Sequence, residues 1–390
     1  MRNIHKEFKV TGRLLTVGVL LMVAFVSRVM GWELIPEALA GVSMALILNP
    51  FEADDAFNMV SLTQSINILP NKYGRVGQLG IFPDKGVRTR TIVVEEQNGV
   101  LNLLPTAPVG APGVQNKLGK RIVRSFTIPH IPLDDAILPQ EYEGIRAFGS
   151  ENEMASLASI MNDHLQAARN KFDITLEHLR MGALKGIILD ADGSTLYNLY
   201  TEFGISAKTV YFTLGTTTTS VAAKCREVIR HIEDNLKGEV YTGVRCLCHE
   251  NFFDALINHA EVTKYYLNHV AALALVGGDP RKGFTFAGIT FEEYRGTATD
   301  KDGNTRAFID STASPVMGEG HCYPEGTSQS FNTIYAPGDF IETVNTIGIP
   351  LYAKQETGKF GRRVDLHIQS NPLPICYRPA LLVKVASDAS

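Results

Sequence analysis

The chain has little of what marks a specialised class. Its five cysteines are an odd number, thinly spread over 390 residues. A disulfide framework is therefore not the basis of the fold, and reduced thiols in a cytosol-like compartment are expected. Neither sign of charge is in excess: 37 Lys and Arg against 41 Asp and Glu leave a formal net charge of −4, without the cationic surface that binding through many phosphates requires. The apolar run at 14–26 falls short of the roughly 20 residues a membrane-spanning helix needs. Also missing are a Gly-x-Ser-x-Gly elbow, a zinc-protease helix motif and a dinucleotide fingerprint, which weakens an enzymatic reading. No internal repeat, low-complexity tract or interdomain linker is present. A composition 45% hydrophobic and 20% charged is that of globular protein, long enough for two or three domains sharing cores.

The strongest positive signal is a stripe from 150 to 186. Apolar residues fall at Met154, Leu157, Met161, Leu165, Ala168, Phe172, Leu176, Leu179 and Ala183, every third or fourth position, the period of an amphipathic helix. Ser150 and Glu153 form a capping box, Glu151 adds an anion at the positive end, Arg180 and Lys185 sit at the negative end, and Gly186 can stop it. Such a helix would be roughly 50 Å long, more than one compact core covers, so something extended must lie along it.

Residues 1–43 differ from the rest. After a basic opening (Arg2, His5, Lys6, Lys9, Arg13) and the short apolar run, the Ala38-Leu39-Ala40 site lies too far along for ordinary signal cleavage. The segment reads as an untranslated upstream stretch or a removable leader, with Met44 as the start; an assembly segment and a targeting signal are the alternatives. From 44 to 84 the chain reads as an extended arm. Residues 87–96 alternate as a strand, Asn98-Gly99 turns into 100–104, a Pro/Gly-rich connection follows at 105–113, and 120–128 is a further strand. The piece 85–132 is thus a long two-armed β-loop, locally basic through Arg88, Arg90, Lys117, Lys120, Arg121 and Arg124. A solvated surface accounts for that charge, yet a β-arm with little core of its own is most stable lying on another subunit.

Beyond the helix, 187–190 and 196–201 flank the turn Ala191-Asp192-Gly193, and 210–214 is a strand. A second amphipathic helix covers 220–237 with Ala222, Cys225, Val228, Ile229, Ile232 and Leu236 inward, 244–248 is a strand and 251–259 a short helix. This alternation indicates an α/β subdomain. The last third is strand-rich, at 284–294, 305–309, 329–335, 348–353, 364–368 and 379–385, so the fold class is α+β.

Candidate chemistry is sparse. Cys246, Cys248 and His249 lack a second ligand pair, and cysteines two apart on a strand point together into a core. Asp190 and Asp192 start like a calcium loop but no later acidic ligand follows. The run 277–283 lacks the lysine and hydroxyl of a phosphate loop. His321 and Cys322, adjacent on a strand, face opposite ways and cannot act as base and nucleophile. No cofactor, metal or membrane partner is expected.

Several segments carry a resemblance: Phe291-Glu292-Glu293-Tyr294-Arg295-Gly296, Tyr335-Ala336-Pro337-Gly338-Asp339, Val344-Asn345-Thr346-Ile347-Gly348, Leu351-Tyr352-Ala353-Lys354 and Gln369-Ser370-Asn371-Pro372-Leu373-Pro374. Ile128-Pro129-His130-Ile131, Phe148-Gly149 and the pattern from Arg245 to Phe253 extend it upstream. In this order they resemble the major capsid protein E family of lambda-like tailed phages. The resemblance implies the Hong Kong ninety-seven capsid fold: an N-terminal arm (44–84), an E-loop hairpin (85–132), a peripheral domain (133–204) with a spine helix (150–186), an axial α/β domain (205–350), and final strands (351–390) returning to the peripheral domain. It further implies a subunit that assembles with itself into hexamers and pentamers of an icosahedral shell around packaged DNA. Scaffold, portal and decoration proteins would be partners, the virion capsid its place, and the host bacterial cytoplasm its site of assembly. The E-loop basic residues Arg88, Arg90, Lys120, Arg121 and Arg124 would then meet a neighbouring subunit. An encapsulin-like compartment shell and a cytosolic enzyme built on the α/β region are the rival readings.

Overall fold

The long helix runs from Leu157 to Lys185, 29 residues, or about 43 Å at the α-helical rise. The structure, a computed structural model, describes residues 59–68, 74–97, 121–141, 157–267, 281, 283–299, 303–309 and 318–387. The expected leader, the arm before 59, the Asn98-Gly99 turn, the strand at 100–104, Lys120, Met154, the Ser150 cap and nearly all of 277–283 lie outside these residues. Within the helix, Met161, Leu165, Ala168, Phe172 and Leu179 are buried, and Leu176 is half-buried. One wet and one apolar face hold only for its first half: from Leu179 to Leu184 every residue is buried. The helix packs against strands Ile187–Leu189 and Pro372–Cys376. Gly186 ends it in the left-handed region (φ 79), its N–H donating to Ala183 O at 3.2 Å. A side chain there would run into the Tyr200 ring.

A six-stranded sheet has the order Lys208–Tyr211, Val383–Ala386, Glu319–Glu325, Gly243–Cys248, Ile289–Glu293, Phe284–Phe286. Strand alternation gives its two faces different work. Val244, Cys246, Cys248, Ile289, Phe291 and Cys322 face helices Val221–Asn235 and Glu250–Asn258 in one apolar core. Leu247 and Tyr323 face the other way and join a second core with Leu179, Met181, Ala183 and Leu184 of the long helix. The six-stranded sheet and its two helices thus form an α/β unit with strands from 208–211, 243–248, 284–293, 319–325 and 383–386. Strand Val383–Ala386, expected to return with the final strands, lies in the six-stranded sheet beside Lys208–Tyr211 and Glu319–Glu325. Strand Phe331–Tyr335, expected among 205–350, pairs instead with Asp84–Gly86 and Pro372–Cys376. Both pairings join segments far apart in sequence, which local pattern does not encode.

Smaller differences have local causes. The stretch 284–294 is a hairpin, Phe284–Phe286 antiparallel to Ile289–Glu293, because Ala287 and Gly288 take positive φ of 48 and 89. The strand at 196–201 stops at Asn198, whose side chain accepts from the Tyr200 and Thr201 amides and starts helix Leu199–Phe203. A third sheet joins Tyr352–Thr357, Val364–Ser370 and Ile131–Ile137.

Leu165→Ala, at a fully buried position, should lower unfolding free energy by about 3–5 kcal/mol, and Leu176→Ala by less than half as much; urea titration of both variants measures the contrast. All five cysteines are buried, and burial pushes the Cys225 thiol up and that of Cys376 to about 12. A thiol reagent should therefore label none of them in the native protein and all five in denaturant.

Candidate functional site

The sequence builds one element that the rest of the subunit does not enclose. Thr91–Gln97 pairs antiparallel with Arg121–Thr127 in a two-stranded ribbon. The partner of the first strand is thus the segment after the Pro/Gly-rich connection. At the root, Ile92 and Phe126 face each other and are buried. Phe126 meets Tyr197 edge-on at 5.4 Å and stacks with Phe203 at 6.1 Å. Tyr197 Oη donates to Thr127 O and accepts from Thr127 N, both at 2.8 Å. On the opposite face Val93 and Val123 remain 59% and 58% exposed, while Ile122, on the Ile92 face but further from the root, is 40% exposed. A two-stranded ribbon has too little core to stand alone, so its outer apolar residues are available to another surface.

Both legs of the ribbon are tied to the long helix. Before the first leg, the short helix Arg75–Gln78 rests on Glu177, whose carboxylate accepts from Val76 N at 2.8 Å and Gly77 N at 3.2 Å. Tyr294 Oη donates to the same carboxylate at 3.0 Å; burial first, then Glu177, pushes that phenol's pKa up. One turn along, Arg180 donates to Asp84 Oδ1 at 3.0 Å and Thr333 Oγ1 at 3.1 Å. Asp84 stays above the ordinary aspartate range because desolvation outweighs Arg180. Arg75 also reaches the six-stranded sheet, where Glu292 pairs with it at 2.5 Å and with Arg245 at 2.7 Å, and Arg245 continues to Glu325. Glu292, Arg245 and Glu325 share the sheet face turned toward the long-helix core, the face that also carries Leu247 and Tyr323. Beyond the second leg, strand Ile131–Ile137 is held by His164 of the long helix, Nδ1 lying 2.7 Å from Asp135 Oδ2.

The residues named from sequence fall in three groups. Arg88 is exposed. Arg90 pairs with Asp339 at 2.7 Å on the surface. Arg124 folds back onto its own chain, donating to Glu202 O at 2.8 Å and Phe203 O at 3.4 Å and lying 4.7 Å over the Phe203 ring. Arg121 opens the second strand. Of the helix residues, Met161, Leu165, Phe172 and Leu179 are buried and Leu176 is half-buried. The resemblance residues converge on one corner: Tyr335 pairs with Pro372, and Leu373 and Pro374 continue the register. There Ala336 N donates to Asn371 O at 3.0 Å, Asn371 Nδ2 to Pro337 O at 2.7 Å, and His130 Nδ1 lies 2.7 Å from Asn371 Oδ1. Two prolines are tolerated in Pro372–Cys376 because it is an edge strand. The corner thus braces the end of the second leg. Glu177 went unread; its one signal is a carboxylate set between Leu176 and Leu179 on the apolar stripe.

A second exposed apolar feature follows that corner, with Ile341 at 92%, Val344 at 64% and Ile347 at 57%. Its base is a tight crossing, since a side chain at Gly348 would strike the Tyr335 carbonyl. The chemistry weighed from sequence does not assemble. His249 caps a helix, Nδ1 accepting from Asn251 N at 3.2 Å. Cys246 and Cys248 lie Sγ to Sγ at 3.9 Å in the core. Asp190 and Asp192 accept from backbone amides of their own turn. His321 turns to Glu319 at 3.1 Å, away from Cys322. Burial holds His321 below its ordinary value. Glu319, despite burial, is drawn down to about 2 by His321 and Lys384. Among the described residues no group of three metal-binding side chains occurs, and no helix is long and apolar enough to cross a membrane.

The family described as phage major capsid protein E matches residues 58–387. The chain is 30% identical over 357 residues to the major capsid protein of Salmonella phage Felix O1, covering 85% of this chain and 97% of that protein. It is 30% identical over 346 residues to the major capsid protein of Pseudomonas phage KPP10, covering 84% and 96% respectively. The fold is similar to that of a crystal structure of a putative capsid protein of prophage from E. coli CFT073, with a TM-score of 0.53 at 15% identity, covering 85% of this chain and 99% of that one.

Replacing Glu177 by Ala leaves a buried amide, a part-buried amide and a phenol without their shared acceptor. Unfolding free energy should fall by about 3–5 kcal/mol, against about 1–2 kcal/mol for Tyr294→Phe; chemical denaturation of the two variants measures the difference.

Proposed function

The chain belongs to the phage major capsid protein E family, and from that premise we propose that its work is geometric: copies associate side by side and close a shell. It is a major capsid protein of a bacteriophage, a structural component of the virion. The encapsulin and enzyme readings are not favoured by that membership. In finer detail, the copies form hexamers and pentamers of an icosahedral shell that encloses double-stranded DNA. Assembly takes place in the host cytoplasm with scaffold, portal and decoration proteins as partners.

The ribbon at 85–132 acts as the E-loop, the helix at 150–186 as the spine, and the six-stranded sheet with its two helices as the centre of an axial domain. The observation that carries this reading is the ribbon itself, with a root buried against Tyr197 and Phe203 and an outer face that leaves Val93 and Val123 more than half exposed. A neighbouring copy completes that face. Each such contact can be modest, because repetition round a closed ring multiplies it, and weak contacts let assembly errors be reversed.

Val93→Asp with Val123→Asp should leave the monomer folded, since both positions are exposed, while removing closed particles from negative-stain images of material assembled with its phage partners. Normal shells from the double variant, or a discrete small oligomer from the unaltered chain, would overturn the assignment of this surface.

A further inference from the structure

Strand Ile131–Ile137, which carries the chain away from the ribbon, places two consecutive carboxylates on opposite faces. Asp134 turns to His367 Nδ1 at 2.5 Å. Asp135 turns to the long helix, where His164 Nδ1 lies 2.7 Å from its Oδ2 while Nε2 lies 2.8 Å from Glu141 Oε2 in the turn that follows the strand. Both ring nitrogens of His164 thus meet a carboxylate oxygen, each from a different element. A neutral imidazole has one N–H, so it satisfies one of these oxygens and turns a lone pair toward the other. Only the imidazolium serves both, through two charge-assisted hydrogen bonds.

We propose that protonation of His164 is a clasp that fixes the root of the projecting ribbon to the long helix. With the proton present, the helix, the strand and the turn are one unit; without it, one carboxylate loses its donor and the strand is held less firmly. Among the described residues, the surroundings leave this ring in control of the contact. Helix Met59–Ile68, which packs on the long helix, has no titratable side chain. Strand Val364–Ser370 presents Val364, Leu366 and Ile368 on the Asp135 side and turns Asp365 and His367 to the other. Strand Tyr352–Thr357 adds Ala353, Gln355 and Thr357 there, with Lys354 and Glu356 on the far face. On the long helix itself Asp163 adjoins the ring in sequence and is exposed.

Burial opposes the charged ring, but the hydrogen bonds to Asp135 and Glu141 outweigh it and hold its pKa above the ordinary histidine value. A group raised in the folded state contributes stability that is complete below its unfolded pKa and lost as pH rises through the folded one. The clasp is therefore closed below the ordinary histidine value of about 6.5 and opens as pH rises through the higher folded-state value. His178, His231 and His321 behave oppositely, because burial lowers each of them. Their contributions to stability run against that of His164 over the same pH range, which makes a local measurement the decisive one.

Histidine C2-hydrogen exchange read by mass spectrometry on the full chain gives the ionisation midpoint of His164. It should lie above the model-peptide value of about 6.5 and fall in Asp135→Asn and in Glu141→Gln. Backbone amide exchange of 131–137, corrected for intrinsic rates, should be roughly tenfold slower at pH 6 than at pH 8.5, the scale of one charge-assisted bond. His164→Gln should abolish that difference and His367→Gln should keep it. A midpoint at or below the model-peptide value, pH-independent protection of 131–137, or a dependence that follows His367 would each overturn the proposal, whatever becomes of the assembly assignment.

Discussion

The buried carboxylate of Glu177 is the constraint on which the rest of the subunit depends. A charge removed from water costs several kcal/mol unless its lone pairs are filled, and three donors fill these: two backbone amides and a phenol. Those donors come from the segment that enters the ribbon and from the residue that leaves strand Ile289–Glu293. One side chain therefore sets where the ribbon starts and how the six-stranded sheet sits against the long helix. Arg180, one turn along, repeats the arrangement with Asp84 and Thr333.

On the long-helix side of the six-stranded sheet lies a group of paired charges, and its content follows from strand alternation. Cys246, Phe291 and Cys322 fill one face of the six-stranded sheet, so Arg245, Glu292 and Glu325 must share the other. Ion pairs of this kind add less stability than apolar packing would, but Glu292 and Arg245 each join two partners and so link helix Arg75–Gln78 to three strands. The same logic holds at His164, where a single ring joins three elements.

The long helix, the α/β alternation and the existence of a β-arm were legible because each rests on local periodicity. The stripe through Met161, Leu165, Ala168, Phe172 and Leu179 is buried, and the encirclement at 179–184 escaped the sequence, since a second packing partner leaves no trace in the helix's own period. Asn198 as a helix cap was also within reach, being an N-cap type just before a short apolar run. The pairings of Phe331–Tyr335 and Val383–Ala386 were not, because strand partners distant in sequence are chosen by which sheet edge is free. Ordered family-like segments such as Tyr335-Ala336-Pro337 and Asn371-Pro372-Leu373-Pro374 pointed to the capsid family. Their joint role in bracing His130 became visible only once they lay side by side.

By itself, then, the amino-acid order determined the periodic elements and the family, since both are written in residues near one another along the chain. Tertiary structure alone decided which arginines are already engaged, Arg124 by its own Phe203 and Arg90 by Asp339, and which residues stay uncovered, Val93 and Val123. It also decided that Glu177 and His164 would be the fastenings of the ribbon. Burial and hydrogen bonding depend on what the folded chain brings within 3 Å or so, and for these residues the partners lie from about twenty to more than two hundred positions away.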